Sequence, residues 1–131
     1  MKMTRFKFKK VFILMWLFVF LLGPITFAQT FPDPTKNFFV NYFAEVLSED
    51  TEIQIMEAVV PLYEKTGAQI VVLTVPTTGD MALEDYATAL YRQWGIGEKE
   101  KNNGVLLLLA VDDRRSRIEV GYGLEGILND V

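Results

Sequence analysis

Two neighbouring stretches near the end of the sequence carry the hydrophobic periodicities of a β-hairpin. Val105 to Val111 is an unbroken apolar run, which is typical of a short strand buried on both faces. Arg115 to Val120 places a charged residue at every second position, which is the period of a strand with one solvent-facing side. Asp112 to Arg114 lies between the two runs as a turn. The pattern therefore predicts an antiparallel hairpin.

Two helices and one more strand are predicted upstream of the hairpin. The first helix begins at Ser48, a good N-cap, and ends at Gly67, but Pro61 inside it predicts a kink or break near residues 57–60. Gln69 to Val75 is a β-branched, apolar strand that Pro76 stops. The second helix has the clearer amphipathic stripe, formed by Leu83, Tyr86, Ala87, Leu90, Tyr91 and Trp94.

Together these elements predict an α/β fold, a small three-layer-like sandwich in which helices flank a mixed sheet. The unit from Gln69 to Val111 contributes one parallel crossover pair, and the hairpin adds an antiparallel strand. The aromatic-rich segment from Asn37 to Leu47 is expected to lie over the domain edge as core cover. Leu124 to Val131 is expected to begin a further helix.

The first 28 residues have the pattern of a secretory signal peptide. Basic residues precede Val11, an apolar run of 12 residues extends to Leu22, and a small-residue site ends at Ala28. We expect cleavage after Ala28, with an uncleaved N-terminal anchor as the alternative. Residues 29–37 would then be a linker and residues 38–131 the domain. The expected location is extracytoplasmic: periplasm, cell envelope or secreted, and membrane-anchored if the signal is uncleaved.

Composition and charge narrow the available chemistry. The sequence contains no His and no Cys, which removes the common general base, thiolate chemistry, disulfides and typical zinc ligation. Without residues 1–28, 8 basic and 17 acidic residues leave a net charge of −9. This balance argues against nucleic acid as a partner and is compatible with divalent cations. Carboxylates are therefore the chemical groups that remain.

Three glycines after the hairpin, Gly121, Gly123 and Gly126, form a G-x-G-x-x-G pattern. A dinucleotide site needs this pattern inside a βαβ unit, with an acidic residue roughly 20 positions further on. Here the preceding strand belongs to a hairpin, so no dinucleotide is expected. Two interpretations stay open. The glycines permit a tight, closely packed corner, or their N–H groups help to bind an anion or shape a metal site.

The stretch NNGVLLLLAVDDRRSRIEVGYGLEGILND (Asn102 to Asp130) resembles the TPM domain family. The similarity extends upstream through ALYRQWGIG (Ala89 to Gly97), TGAQIVVLTV (Thr66 to Val75) and VLS (Val46 to Ser48), and so covers about residues 40–131. The family is named for a thylakoid lumen phosphatase, a photosystem II repair protein and a nematode modulator of acetylcholine receptors. Relatives continue with further helical sequence, so the resemblance implies a domain that is incomplete at its C-terminus, with one sheet face under-covered.

The resemblance also implies an acidic cleft near the strand and helix ends. The candidate metal ligands are Asp112, Asp113 and Asp130, and ligation by oxygen alone would select calcium or magnesium. The candidate phosphate contacts are Arg114, Arg117, Gly121 and Gly123. Simpler interpretations are an ordinary turn for the paired aspartates and helix stabilisation for Asp130. Arg117 and Glu119 would then be solvated or cross-strand-paired surface residues. Tyr42 stands where relatives often carry an aspartate, which would weaken a metal site.

Two functions are consistent with this sequence. The first is an exported accessory or interaction module for a membrane protein complex or another envelope protein, which could also bind a divalent cation. The second is a metal-assisted acid phosphatase acting on phosphate monoesters, which the resemblance to the thylakoid member implies. Tyr42 in place of an acidic residue favours the first function.

Overall fold

A computed structural model describes residues 30–128 of the chain. The predicted signal peptide, residues 1–28, and Asp130 therefore lie outside the described residues. The elements form one four-stranded sheet in the order β1-β2-β3-β4, in which the first three strands are parallel and β4 is antiparallel. This confirms the predicted α/β class and mixed sheet. In chain order the elements are β1 (Val40–Tyr42), α1 (Glu49–Thr66), β2 (Gln69–Val75), α2 (Leu83–Trp94), β3 (Gly104–Ala110), β4 (Arg115–Val120) and a 3₁₀ turn (Tyr122–Leu124).

The main core lies between α2 and one face of the sheet. The predicted apolar stripe of α2 is confirmed at Leu83, Tyr86, Ala87 and Leu90, which are all buried. Because side chains alternate along a strand, these residues meet every second residue of the two central strands. The strand residues of this core are Val71, Leu73, Val75, Leu106, Leu108 and Ala110.

The opposite face is covered less completely by α1, which contacts β1 and β2. Val59 is the buried residue of this helix, whereas the apolar Ile53 is 49% exposed. On the same face of the sheet, Leu107 and Leu109 of β3 are only half-buried and Ile118 of β4 is exposed. The half of this face formed by β3 and β4 is therefore open to solvent. We call it the open face.

The segment from Asn37 to Leu47 contains a strand, which the sequence interpretation missed. Strand β1 pairs in parallel with β2, with Val40 beside Val72. Asn41 is fully buried, accepts a hydrogen bond from Thr35 N at 2.7 Å and donates one to Phe38 O at 2.8 Å. Because these bonds satisfy the amide, a polar residue can occupy the centre of a strand of three residues. So short a strand shows no detectable periodicity.

Helix α1 runs without interruption through Pro61, so the predicted break near residues 57–60 is wrong. Proline cannot donate to the carbonyl four residues earlier, which belongs to Glu57. Both Pro61 and Glu57 are exposed, so water can satisfy that carbonyl. The predicted ends are confirmed. Ser48 Oγ accepts a hydrogen bond from Thr51 N at 3.2 Å, and Gly67 adopts the left-handed conformation with φ 73°.

The predicted linker and the helix predicted from Leu124 both differ in the structure from what the sequence indicated. The predicted linker lies against α2, since Trp94 Nε1 donates to Pro32 O at 3.0 Å and Phe31 packs edge-on against Tyr86. After β4 the chain forms the 3₁₀ turn and further turns, and no α-helix begins within residues 121–128. The helix predicted from Leu124 is therefore not formed over its first half. Its second half lies outside the described residues.

Candidate functional site

The turn between β3 and β4 lies beside the loop that follows β2, at the carboxyl ends of the parallel strands. In open α/β sheets this edge is the usual place for a ligand site. Here it is closed by internal hydrogen bonds. The Asp113 carboxylate accepts from Thr77 Oγ1 at 2.9 and 3.0 Å and from Thr78 N at 3.0 Å. Asp112 N donates to Pro76 O at 2.8 Å.

Asp113 therefore connects two loops. The Thr78 N–H, together with the Thr77 hydroxyl, lowers the pKa of Asp113 below its ordinary value of 3.8 because both stabilise the charged carboxylate. A group whose pKa is lower in the folded than in the unfolded chain contributes stability above the unfolded value. That contribution is lost as the pH falls through the folded value.

The substitution Asp113→Asn is expected to lower the melting temperature at neutral pH and to have less effect in acid. As the pH falls from 3.8 through the lower pKa of the folded chain, the wild-type carboxyl becomes protonated and loses the advantage that the variant lacks at every pH. Thermal melts from pH 7 to about pH 2.5 measure this difference. Asp112→Asn, with the same charge change in the same turn, is the control. An equal deficit for Asp113→Asn at both pH values would contradict the assignment.

The arginines of the hairpin do not all lie on the same side of the sheet. Arg117 forms an ion pair with Glu119 at 3.2 Å and lies 4.0 Å from Glu84 of α2, so it belongs to the α2 side of the sheet. Arg114 completes the turn in the left-handed conformation, with φ 53°. Arg115, which the sequence interpretation did not propose, lies 3.9 Å from Glu84. Arg114 and Arg117, the two arginines among the four predicted phosphate contacts, are therefore not brought together.

A shallow groove of about 320 Å³ lies on the open face beside this turn. Its apolar wall includes Val46, which is 52% exposed, and two arginines lie at its rim. The sequence did not reveal it, because Val46 and β3 are far apart in the chain and meet only through the order of the strands. The groove is lined by Val46, Leu109, Ala110, Val111, Arg114, Arg115 and Ser116.

The glycine corner is explained by close packing. Gly121 N donates to Gly104 O at 2.7 Å and Gly123 N donates to Asn102 O at 3.0 Å, so neither N–H is available to a phosphate. A side chain at either position would collide with backbone carbonyl groups, whereas one at Gly126 would meet nothing within 4 Å. The first two glycines of the pattern therefore serve the corner itself.

Tyr91 Oη lies under this corner. It is buried and has no hydrogen-bond partner among residues 30–128. Burial raises the pKa of Tyr91, and the adjacent Gly104 backbone offsets part of that rise. Alanine at Gly104 or at Gly121 would put its Cβ 2.6 Å from this oxygen. The hydroxyl thus occupies the space that both glycines leave.

The acidic residues do not form a complete metal site within the described region. Among residues 30–128, no three side chains of His, Cys, Asp or Glu come close enough together to hold a metal ion. Asp113 is engaged by the threonines, Asp112 is exposed, and Tyr42 is 46% exposed at the end of β1. Asp130 lies outside the described residues. Neither helix of residues 30–128 combines the length and hydrophobicity that a membrane crossing requires.

The fold and this edge define a small α/β domain with helices on both faces, a hairpin at one side of the sheet and a shallow groove rather than a deep cleft. The model of the TPM domain family matches residues 40–131. The chain therefore belongs to the TPM domain family, as its sequence motifs predicted. No curated protein sequence matches it.

One solved structure supports the same fold. The N-terminal domain of a protein from P. gingivalis, determined by solution NMR, is 39% identical to this chain with a TM-score of 0.59. The match covers 66% of this chain and 55% of the NMR structure. The chain thus spans little more than half of that relative.

Proposed function

We propose that this chain is an extracytoplasmic TPM-domain module that binds a membrane protein complex or another envelope protein through the groove on the open face. The observation that carries the proposal is the groove itself, where the exposed Val46, the half-buried Leu109 and Arg114 lie side by side. The extracytoplasmic location rests on the pattern of residues 1–28. Exposed apolar surface bordered by polar residues is typical of protein interaction sites.

The chemistry of the groove indicates what kind of segment would bind there. Val46 and Leu109 offer apolar contact, and Arg114 places positive charge at the rim. The guanidinium of Arg115 lies 3.9 Å from Glu84 of α2, on the other face of the sheet. The expected mature chain as a whole is strongly acidic, with a net charge of −9. A partner segment with an apolar side chain followed by a carboxylate would therefore meet its complementary surface here and be repelled elsewhere.

Photo-cross-linking in intact membranes tests this function. A photoreactive residue at Ser116, an exposed position of the groove that leaves Arg114 in place, is expected to give a discrete adduct with an envelope protein. Val46→Asp should reduce that adduct about tenfold or more, because a charge introduced into an apolar contact costs more than about 1.4 kcal/mol. Ile127→Asp is the matched control, since Ile127 is exposed but outside the groove. An adduct unaffected by Val46→Asp would contradict the proposal.

A second candidate function is metal-assisted hydrolysis of phosphate monoesters with calcium or magnesium. It is favoured by the exposed Asp112 at the carboxyl edge of the sheet, beside Arg114. A cation bound by Asp112 and Asp130 would orient a phosphate and activate water.

Thermal melts with calcium and magnesium test this candidate, because a cation that binds only the folded chain stabilises it by about 2.7 kcal/mol at 100 times Kd. The expected rise in melting temperature should disappear in Asp130→Asn and persist in Glu125→Gln. Hydrolysis of a phosphate monoester between about pH 4 and 8 should follow the same variants. A melting temperature that neither cation changes would exclude this function.

A further inference from the structure

We infer that two copies of this chain associate through the outer edge of β4, so that their sheets join into one continuous sheet. Strand β4 lies at the end of the strand order and pairs with β3 on one side only, within residues 30–128. Its other side presents unpaired backbone N–H and C=O groups, which can pair with a second strand. The inference is independent of the proposed groove function, because it rests on the strand edge.

The hydrogen-bond pattern determines which residues of β4 face outward. Gly121 N donates to Gly104 O, so this pair is hydrogen-bonded across the hairpin. Hydrogen-bonded pairs recur at every second residue of an antiparallel ladder. The odd-numbered residues of β4 therefore direct their backbone groups towards β3. The even-numbered residues, Ser116, Ile118 and Val120, direct theirs towards the free edge.

Only some registers can join two such edges. Outward-facing residues must pair with outward-facing residues, so an antiparallel pair of β4 strands can be centred on Ile118 opposite Ile118 of the second copy. That register places Arg117 of each copy opposite Glu119 of the other. One neighbouring register places Arg117 opposite Arg117, although it also sets Arg115 opposite Glu119, and the other places Glu119 opposite Glu119. Of these three registers, the one centred on Ile118 alone has no like-charged pair. Opposite charges directly across a strand pair stabilise it, and like charges destabilise it. The charge pattern of β4 therefore selects the register centred on Ile118.

The side chains on both faces of the paired β4 strands are also complementary. Arg117 and Glu119 already form an ion pair within one chain at 3.2 Å. The interface between the two β4 strands would bring two such ion pairs together. On the open face, Ile118 would contact Ile118 of the second copy, with Val120 opposite Ser116. Ile118 is 60% exposed in the single chain, and this contact would remove part of that apolar surface from water. The interface is self-complementary, as a two-fold symmetric dimer requires.

The interface is small, because it joins one strand of six residues to its copy. Interfaces at the small end of the known range form dimers that dissociate on dilution. Disulfide cross-linking is therefore the appropriate measurement. The sequence contains no Cys, so an introduced cysteine has no other thiol of the chain to react with. Across a hydrogen-bonded antiparallel pair the Cα atoms lie about 5.5 Å apart, within the range of a disulfide.

The test uses the full chain in detergent or in membranes, with Ile118→Cys. Mild oxidation should give at least tenfold more disulfide-linked dimer than Ile127→Cys at the same concentration. Ile127 is 78% exposed, so random collision would favour the control. As much dimer from Ile127→Cys as from Ile118→Cys would overturn the inference.

Two further variants test the register and the charges. A mixture of Arg117→Cys and Glu119→Cys chains should form mostly mixed dimers, because these positions face each other in the proposed register. In the Ile118→Cys chain, Arg117→Glu should suppress cross-linking, and the additional change Glu119→Arg should restore it. Restoration distinguishes a lost interface from a misfolded chain. Cross-linking that Arg117→Glu leaves unchanged, or a mixture without preference for mixed dimers, would overturn the inference.

Discussion

Replacement of Gly121 by alanine is expected to lower the melting temperature by as much as about 12 to 24 °C. The new Cβ would collide with the Asn102 carbonyl oxygen and would lie 2.6 Å from the buried Tyr91 Oη. The tyrosine could move, but the Asn102 carbonyl is backbone and accepts the hydrogen bond from Gly123 N. Overpacking against a fixed group costs up to about 3 kcal/mol, and each kcal/mol corresponds to about 4 to 8 °C in a domain of this size.

The matched control lies within the same glycine pattern. Alanine at Gly126 would meet no atom within 4 Å, so Gly126→Ala should shift the melting temperature by little. Thermal melts of residues 29–131 with each substitution make the comparison. Equal stability of the two variants would show that the corner can relax and that the first glycine is not required for packing. A large deficit confined to Gly121→Ala would assign that glycine to the corner.

Elements whose hydrophobic pattern repeats several times along the chain could be predicted from the sequence. The α2 stripe from Leu83 to Leu90 repeats at helical spacing, and β4 alternates between charged and other residues, so both are visible locally. Strand β1 could not be recognised in this way, because it has three residues and its central Asn41 is polar. The prediction at Pro61 was wrong because the carbonyl that this proline leaves unpaired, that of Glu57, belongs to an exposed residue and can be satisfied by water.

The candidate site was less predictable than the fold, because it depends on which strands are neighbours. Asp113 was identified from its turn, but its partners Thr77 and Thr78 lie in another loop. The groove combines Val46 with the β3–β4 hairpin, and no local pattern connects them. The run from Val105 to Val111 suggested burial on both faces. In the structure, the residues of β3 that face α2 are buried while Leu107 and Leu109 are half-buried.

Two identical substitutions in β3 should therefore differ strongly in effect. Leu108 is fully buried in the core against α2, so Leu108→Ala is expected to cost about 2 to 5 kcal/mol, the range for truncating a buried leucine. Leu109 lies on the open face and is half-buried. Leu109→Ala removes less contact and should cost only about 1 kcal/mol. Urea unfolding of residues 29–131 measures both values, with an unchanged slope showing that each variant unfolds as the wild type does.

The substitutions Leu108→Ala and Leu109→Ala also distinguish an effect on stability from an effect on partner binding. Leu109 lines the groove, so Leu109→Ala should weaken the cross-link from Ser116 to an envelope partner while the domain stays folded. Leu108→Ala should reduce that cross-link only to the extent that it unfolds the chain, and lowering the temperature should restore it. An equal loss of stability at the two positions would mean that the open face is covered in the folded protein. In that case a partner would have no access to the groove, and the proposed function would fail with it.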